Sequence, residues 1–137
     1  MSSECVERLC AGLAPMRTIV AGRSEEKLRL PENALNYLNR TTLTELIWLV
    51  RNAIFTVSVD SGPMHIASAL KEQLLAIHTW SDPRKVGPYN KNAWIWKMGR
   101  IIRAGEITPE MAVKKTSFSS TDLPMVLDFL QREIASK

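Results

Sequence analysis

The fold is decided by residues 54–70, Ile-Phe-Thr-Val-Ser-Val-Asp-Ser-Gly-Pro-Met-His-Ile-Ala-Ser-Ala-Leu. Residues 54–59 are apolar and largely β-branched, which predicts a buried strand. Residues 60–63, Asp-Ser-Gly-Pro, predict a tight turn, because glycine admits a close backbone approach and proline suits the first position of a helix. Residues 64–70 are small or apolar and predict the helix that follows.

Similar apolar segments lie on both sides of this unit. Residues 17–21 and 74–78 predict two more buried strands, and residues 34–38 a short one. Residues 42–45, Thr-Leu-Thr-Glu, have the form of a capping box and open an amphipathic helix over 43–52. This alternation predicts an α/β, three-layer Rossmann-like parallel sheet, with strand 54–59 central and parallel to 17–21 and 74–78.

The C-terminal part of the chain has a different pattern. Residues 93–98 predict an edge strand, and Thr108-Pro109 predicts a short helix with proline at its first position. Apolar residues at helical spacing from Leu123 to Ile134 predict a final amphipathic helix. We therefore expect one domain over residues 1–137, with a helical segment at 108–136.

Composition narrows the class of protein. The chain has 18 Lys and Arg against 14 Asp and Glu, a formal charge of +4 that favours an anionic ligand. The basic residues are scattered, which favours a solvated surface over a nucleic-acid interface. No apolar run approaches the roughly 20 residues of a membrane span. Cys5 and Cys10 indicate neither a disulfide framework nor a metal site, so we expect a reducing cytoplasm.

The turn at residues 60–63 is also the candidate binding site. In a parallel sheet it lies at the carboxyl end of its strand, where ligands of such folds bind. Free N–H groups in the first turn of the following helix suit a phosphate. From these residues alone, a well-capped helix with a hydrogen-bonded His65 is an equally good interpretation.

Four segments carry a resemblance to a known family. Asp60-Ser-Gly-Pro-Met-His65 with the following Ile-Ala-Ser-Ala-Leu resembles the signature of glycosyltransferase family nine, the ADP-heptose:lipopolysaccharide heptosyltransferases. Three other segments resemble that family in the same order and at similar spacing: Gly22 to Glu25, Arg40 to Leu46, and Ser81-Asp-Pro83 with Gly87-Pro-Tyr89. The resemblance is clearest over residues 17–90.

The resemblance implies the C-terminal half of a GT-B enzyme, whose two Rossmann-like domains face a cleft. That half holds the nucleotide-sugar donor, while the N-terminal half holds the acceptor and the proposed catalytic aspartate. We expect residues 1–137 to be a partial donor-binding domain that lacks the acceptor domain and is inactive alone. We assign it no catalytic residue, no cofactor and no metal; the nucleotide sugar is a substrate.

By resemblance, one group of residues lines the donor pyrophosphate, largely through backbone N–H groups: Ser61, Gly62, Met64 and His65. Asp60 would repel phosphate if it pointed inward, so we expect it to cap the helix or bind the N–H groups of the turn.

A second group is assigned by the same resemblance to the nucleotide and to the donor loop. Glu25 faces the ribose or a neighbouring part of the nucleotide, and Arg40 and Thr41 border the adenine. Asp82 helps to shape the donor loop.

The chain departs from the family at positions where glycine is common. Asn39 and Thr79 stand at two of them, and the glycine near residues 71–72 is absent. Asparagine tolerates left-handed backbone, whereas threonine fits it poorly.

The expected function is donor binding, with an ADP-heptose-like sugar, for inverting transfer in the synthesis of bacterial lipopolysaccharide or a related glycan. The expected partners are the nucleotide sugar and a lipid-linked or glycan acceptor held by the other domain. We expect a cytoplasmic location, either free or peripheral at the inner face of the membrane. The alternative is a non-catalytic homologue that acts as a binding or self-association module, for example as a homo-oligomer.

Overall fold

The computed structural model describes residues 1–59, 62–79, 90–113 and 117–136. Its helices and strands are, in chain order, α1 (Ser3–Gly12), β1 (Thr18–Gly22), β2 (Ala34–Leu38), α2 (Leu43–Asn52), β3 (Thr56–Val59), α3 (Gly62–Leu70), β4 (Leu74–Ile77), β5 (Trp94–Lys97), β6 (Arg100–Arg103), α4 (Pro109–Val113) and α5 (Leu123–Ala135). No helix in the described part of the chain has the length and apolar character needed to cross a membrane.

The chain divides into two compact units. The first consists of Met1–Leu46 and Ser119–Lys137, and the second of Ile47–Phe118. The architecture is α/β. β1 and β2 form one parallel pair, and β3 to β6 form a four-stranded sheet. The second sheet is mixed, because β6 runs antiparallel to β5 whereas β3, β4 and β5 are parallel. The prediction of an α/β fold is confirmed at this level.

In the first unit, α1 packs closely on α5. A Cβ atom added at Gly12 would lie 2.6 Å from Cδ1 of Leu127, so the absence of a side chain permits this approach. The Gln131 side chain donates a hydrogen bond of 3.2 Å to the Gly12 carbonyl. Both helices contribute buried side chains to this unit: Cys5, Leu9 and Cys10 from α1, and Leu123, Val126, Phe129 and Leu130 from α5.

The predicted capping box at the start of α2 is confirmed. The Thr42 N–H donates to a Glu45 carboxylate oxygen at 2.9 Å, and the Glu45 N–H donates to the Thr42 hydroxyl at 3.2 Å. These two bonds satisfy backbone donors that the first turn of a helix otherwise leaves free. The helix spans the predicted residues, Leu43–Asn52.

The second unit is organised by β4. All four of its residues, Leu-Leu-Ala-Ile, are buried. It pairs in parallel with β3 on one side and with β5 on the other. A strand covered on both faces reads as an unbroken apolar run, as this one does.

The prediction that strand 54–59 is central is wrong. In the described four-stranded sheet, β3 pairs with β4 and lies at the end of the strand order. The predicted parallel pairing with the 74–78 segment is correct. Residues Thr56–Ser58 are half-buried and Val59 is exposed, so β-branching signalled a strand but not its position in the sheet.

The prediction that residues 93–98 form an edge strand is also wrong. β5 lies between β4 and β6, and its residues Ile95, Trp96 and Lys97 are buried. β6 (Arg100–Arg103), which sequence reasoning did not identify, pairs with it antiparallel. The hairpin turn between them holds Met98 at φ 53° and Gly99 at φ 73°. The sequence gives a weak strand signal for β6, because its apolar residues, Ile101 and Ile102, are only two and are flanked by Arg100 and Arg103.

One face of this sheet carries α3. Met64 and Ala67 of α3 are fully buried in one cluster with Leu74 and Ala76 of β4. The cluster also includes Val50 and Ala93. Because side chains alternate along a strand, the even-numbered residues of β4 define the face that packs on α3.

The capping box generates a pH-dependent prediction. The hydrogen bond from the Thr42 backbone N–H, followed by that with its hydroxyl, holds the pKa of Glu45 below its ordinary value of 4.5. A carboxyl group with a lowered pKa stabilises the folded state above its unfolded pKa and loses that contribution as the pH falls through the folded pKa. In Glu45→Gln, the deficit in unfolding free energy relative to wild type should therefore be largest at neutral pH and shrink on acidification. Urea titrations across the pH range measure it.

Glu133→Gln controls for the loss of one carboxylate from a helix, here at a half-buried position in α5. A Glu45→Gln deficit that is constant with pH, or that grows on acidification, would contradict the role of the carboxylate in the cap.

Candidate functional site

In the first unit, the loops after β1 and β2 are joined by Asn39. Its N–H donates to the Gly22 carbonyl at 2.7 Å. Its side-chain oxygen accepts from the Ser24 N–H at 3.1 Å, and its side-chain nitrogen donates to the Ser24 carbonyl at 2.6 Å. Because β1 and β2 are parallel, their carboxyl ends meet at one edge. We call these contacts the Asn39 clasp.

Two residues of the Asn39 clasp have a positive backbone φ angle. Asn39 has φ 61° and Gly22 has φ 119°. Asparagine is enriched in left-handed backbone because its short polar side chain can bond locally, as it does here. The expectation that asparagine can replace glycine at this position is confirmed. At the other departure, Thr79 is not among the left-handed residues of the described chain.

The clasp brings together three of the residues predicted to bind the nucleotide. Glu25 follows Ser24 directly, and Arg40 and Thr41 follow Asn39. Glu25 and Arg40 are exposed, while Thr41 is half-buried. The three residues therefore lie next to the Asn39 clasp in the chain, at the carboxyl edge of the β1–β2 pair.

The second unit contains the β3–α3 connection. β3 ends at Val59 and α3 begins at Gly62. Asp60, Ser61 and Asp82 were predicted at this site and lie outside the described residues. The first turn of α3 lies at the carboxyl edge of the parallel strands β3, β4 and β5, where α/β sheets bind their ligands.

The side chains of the first turn differ in exposure. Met64 is fully buried in the core between α3 and β4, so its side chain is committed to packing and only its backbone is left for a ligand. His65 is half-buried. The contact of backbone N–H groups with a ligand at this turn stays a prediction.

Two aromatic residues of β5, Trp94 and Trp96, have packing contacts. The Trp96 ring is fully buried and meets Phe118 edge-to-face, with centroids 4.9 Å apart. The Arg103 guanidinium lies 3.8 Å from the centroid of the Trp94 ring, a cation–π contact. Trp48 of α2 is 62% exposed.

Sequence reasoning missed Lys97. It is the last residue of β5, it is fully buried, and its ammonium group donates to the Thr79 carbonyl at 3.4 Å. His78, at the end of β4, is also fully buried. A lysine that ends a Trp-Ile-Trp-Lys strand is ordinarily assigned to solvent, so the pattern contains little to distinguish it.

The part of the chain that the structure describes has no group of three His, Cys, Asp or Glu side chains arranged to hold a metal ion.

The amino-acid sequence is similar to those of known proteins. The family model of glycosyltransferase family 9 (heptosyltransferase) matches residues 2–105, so the chain belongs to that family. It is 32% identical over 105 residues to lipooligosaccharide heptosyltransferase 2 of Haemophilus influenzae, an alignment covering 66% of this chain and 30% of the relative. It is 27% identical over 89 residues to lipopolysaccharide core heptosyltransferase OpsX of the same organism, covering 65% of this chain and 23% of that protein.

The chain thus spans less than a third of the length of either curated relative. No solved structure matches it significantly. The resemblance found in the four sequence segments is confirmed as family membership.

The Asn39 clasp can be tested by two substitutions that differ in one respect. Asn39→Gly loses the side-chain bonds but accepts φ 61° without strain, whereas Asn39→Ala loses the bonds and adds the left-handed penalty of about 1 kcal/mol. We expect the unfolding free energy to fall in the order wild type, Asn39→Gly, Asn39→Ala, as measured by chemical denaturation. An alanine variant as stable as the glycine variant would contradict the conformation assigned to Asn39.

Proposed function

We propose that this chain binds the nucleotide-sugar donor of an inverting glycosyltransferase, with an ADP-linked, heptose-like sugar as the donor, in the synthesis of lipopolysaccharide or a related glycan. The observation that carries the proposal is the β3–α3 connection at the carboxyl edge of three parallel strands, in a member of a heptosyltransferase family. We further propose that the described elements belong to a three-layer, Rossmann-like donor domain of the GT-B type.

The first turn of α3 suits the diphosphate of such a donor. Its free N–H groups and the positive end of the helix dipole favour an anion. Gly62 begins the helix, where a hydrogen in place of a side chain leaves room for phosphate oxygens. The amides of Met64 and His65 follow in the same turn. Ser61 is proposed to join this group, and Asp60 to cap it.

The edge that carries the Asn39 clasp suits recognition of a nucleoside. Glu25 is exposed and can accept hydrogen bonds from ribose hydroxyls. Arg40 can lie against a base, and Thr41 can contact it through the main chain. We propose these roles on the strength of the family resemblance and of the contacts that hold the two loops together. Asp82 is proposed to shape the donor loop.

The proposed chemistry assigns binding, not proton transfer, to this chain. Transfer with inversion needs a base that removes the proton of the acceptor hydroxyl as that oxygen attacks the sugar. We propose that the base comes from the acceptor side. The contribution of the α3 turn is to stabilise negative charge on the departing diphosphate, as oriented backbone donors do in other transfer reactions.

The alternative role, self-association, has one observation in its favour. In the second unit Trp48 is 62% exposed and Ile54 is 54% exposed. Contiguous patches of exposed apolar side chains mark contact surfaces in many proteins. Sedimentation across a concentration series, with Trp48→Ser as the comparison, distinguishes a self-associating chain from a monomeric donor-binding chain.

Calorimetric titration with ADP tests the proposed function. The wild-type chain should bind ADP, and Gly62→Val should weaken binding more than about tenfold, or 1.4 kcal/mol, because a branched side chain would occupy the phosphate approach. Gly62→Ala should give a smaller loss, and His65→Ala a smaller loss than Gly62→Val, since backbone donors dominate.

Thermal unfolding of each variant checks that the loss is not a loss of fold. A folded Gly62→Val variant with wild-type affinity would contradict the placement of the diphosphate. A wild-type chain that binds no ADP, UDP or GDP at millimolar concentration would contradict the proposed function as a whole.

A further inference from the structure

The Asn39 clasp restrains the peptide unit that precedes Glu25. The Asn39 side chain accepts from the Ser24 N–H at 3.1 Å and donates to the Ser24 carbonyl at 2.6 Å. That carbonyl belongs to the peptide unit that joins Ser24 to Glu25. Because a peptide unit is planar, a hydrogen bond to its oxygen restrains the orientation of the whole unit. Asn39 thus acts directly on the backbone at one side of the Glu25 Cα atom.

The peptide unit that follows Glu25 is restrained as well. Its N–H, which belongs to Glu26, donates to the Ser24 hydroxyl at 3.1 Å. The backbone of a residue has only two soft dihedral angles, one toward each neighbouring peptide unit. Since both units beside Glu25 are hydrogen-bonded, these contacts set the direction in which the Glu25 side chain leaves the backbone.

The restrained segment is anchored to the edge of the β1–β2 pair and to α1. The Asn39 N–H donates to the carbonyl of Gly22, which pairs with Leu38 at the end of both strands. From α1, the Ser3 hydroxyl donates to a carboxylate oxygen of Glu26. All of these residues belong to the first unit of the chain. The position of Glu25 is therefore defined relative to the carboxyl edge of β1 and β2.

The carboxylate of Glu25 lies at an exposed position between these held neighbours. A carboxylate only accepts hydrogen bonds, and its two oxygens can accept from two adjacent hydroxyl groups. A group that is restrained before binding loses less conformational freedom when it binds, which raises affinity without a new contact. The contacts of Asn39 therefore bear on how well Glu25 can bind a diol.

We propose that Asn39 is a positioning residue that prepares Glu25 for the vicinal hydroxyls of a ribose. The inference rests on the proposed function, in which Glu25 contacts the nucleotide, and it adds the residue that orients Glu25. Asn39 acts through the Ser24 peptide units and does not touch the ligand. The chain is thereby selective for nucleotides that carry both ribose hydroxyls.

The test compares ADP with dideoxy-ADP, which lacks both ribose hydroxyls, by calorimetric titration of the 137-residue chain. Wild type should bind ADP about tenfold more tightly, the size of a hydrogen bond to a charged group. Asn39→Gly loses the side-chain bonds but accepts φ 61°. It should reduce this preference to within about threefold by weakening ADP binding, while affinity for dideoxy-ADP stays near the wild-type value.

A second substitution grades the effect. Asn39→Asp keeps the acceptor for the Ser24 N–H and loses the donor to the Ser24 carbonyl, so its preference for ADP should lie between those of wild type and Asn39→Gly. If Asn39→Gly does not fold, Asn39→Asp provides the comparison.

Two further variants separate positioning from stability. Glu25→Ala should abolish the preference for ADP, and adding Asn39→Gly to it should change nothing more, because the two residues act together. Asn52→Gly is the matched control. It removes an asparagine whose side chain donates to the Trp48 carbonyl at 2.8 Å in the last turn of α2, and it should keep the wild-type preference.

The outcomes distinguish the inference from the proposed function. A wild-type preference retained in Asn39→Gly would overturn the inference and leave the donor site standing. An equal loss of affinity for both ligands would do the same, because it indicates a purely structural role. A wild-type chain that binds both ligands equally well would overturn the ribose contact of Glu25 together with the inference, and leave the diphosphate site standing. A wild-type chain that binds neither ligand would contradict the proposed function itself.

Discussion

The strand β4 fixes the direction of everything around the proposed donor site. Its four residues are buried, and its neighbours β3 and β5 both run parallel to it. Parallel strands end at a common edge, so the start of α3, the buried His78 and the buried Lys97 all lie at that edge. Without this pairing, the start of α3 would have no fixed relation to the end of β5.

The sequence predicted local structure better than it predicted the order of the strands in the sheet. The capping box at Thr42 and Glu45 was readable because both hydrogen bonds join residues three apart. The positions of β3 and β5 in the sheet were predicted wrongly, because an apolar, β-branched segment specifies a strand without specifying its partners. β6 was missed because arginines at its ends obscure two isoleucines.

At the candidate site, too, local features were predictable from the sequence and features that depend on strand pairing were not. Residues Gly62 to His65 were predicted as binding residues from a contiguous motif, and the family match supports the resemblance that this motif carries. Asn39 was noted as a departure from the family, and its left-handed backbone explains why asparagine is accepted there. The burial of Lys97 on the α3 face could not be predicted from the sequence, because it follows from the register of β4 with β5.

The central claim is that the carboxyl edge of the β3–β4–β5 sheet binds the diphosphate. Titrating the isotope-labelled chain with ADP, while following backbone amide resonances by NMR, tests it most directly. The account predicts that the largest shifts occur at the amides of Met64, His65 and Thr79, with little change at Leu74 and Lys91 at the amino edge. Shifts concentrated at Leu74 and Lys91, or a saturable ADP complex that leaves Met64 and His65 unperturbed, would contradict it.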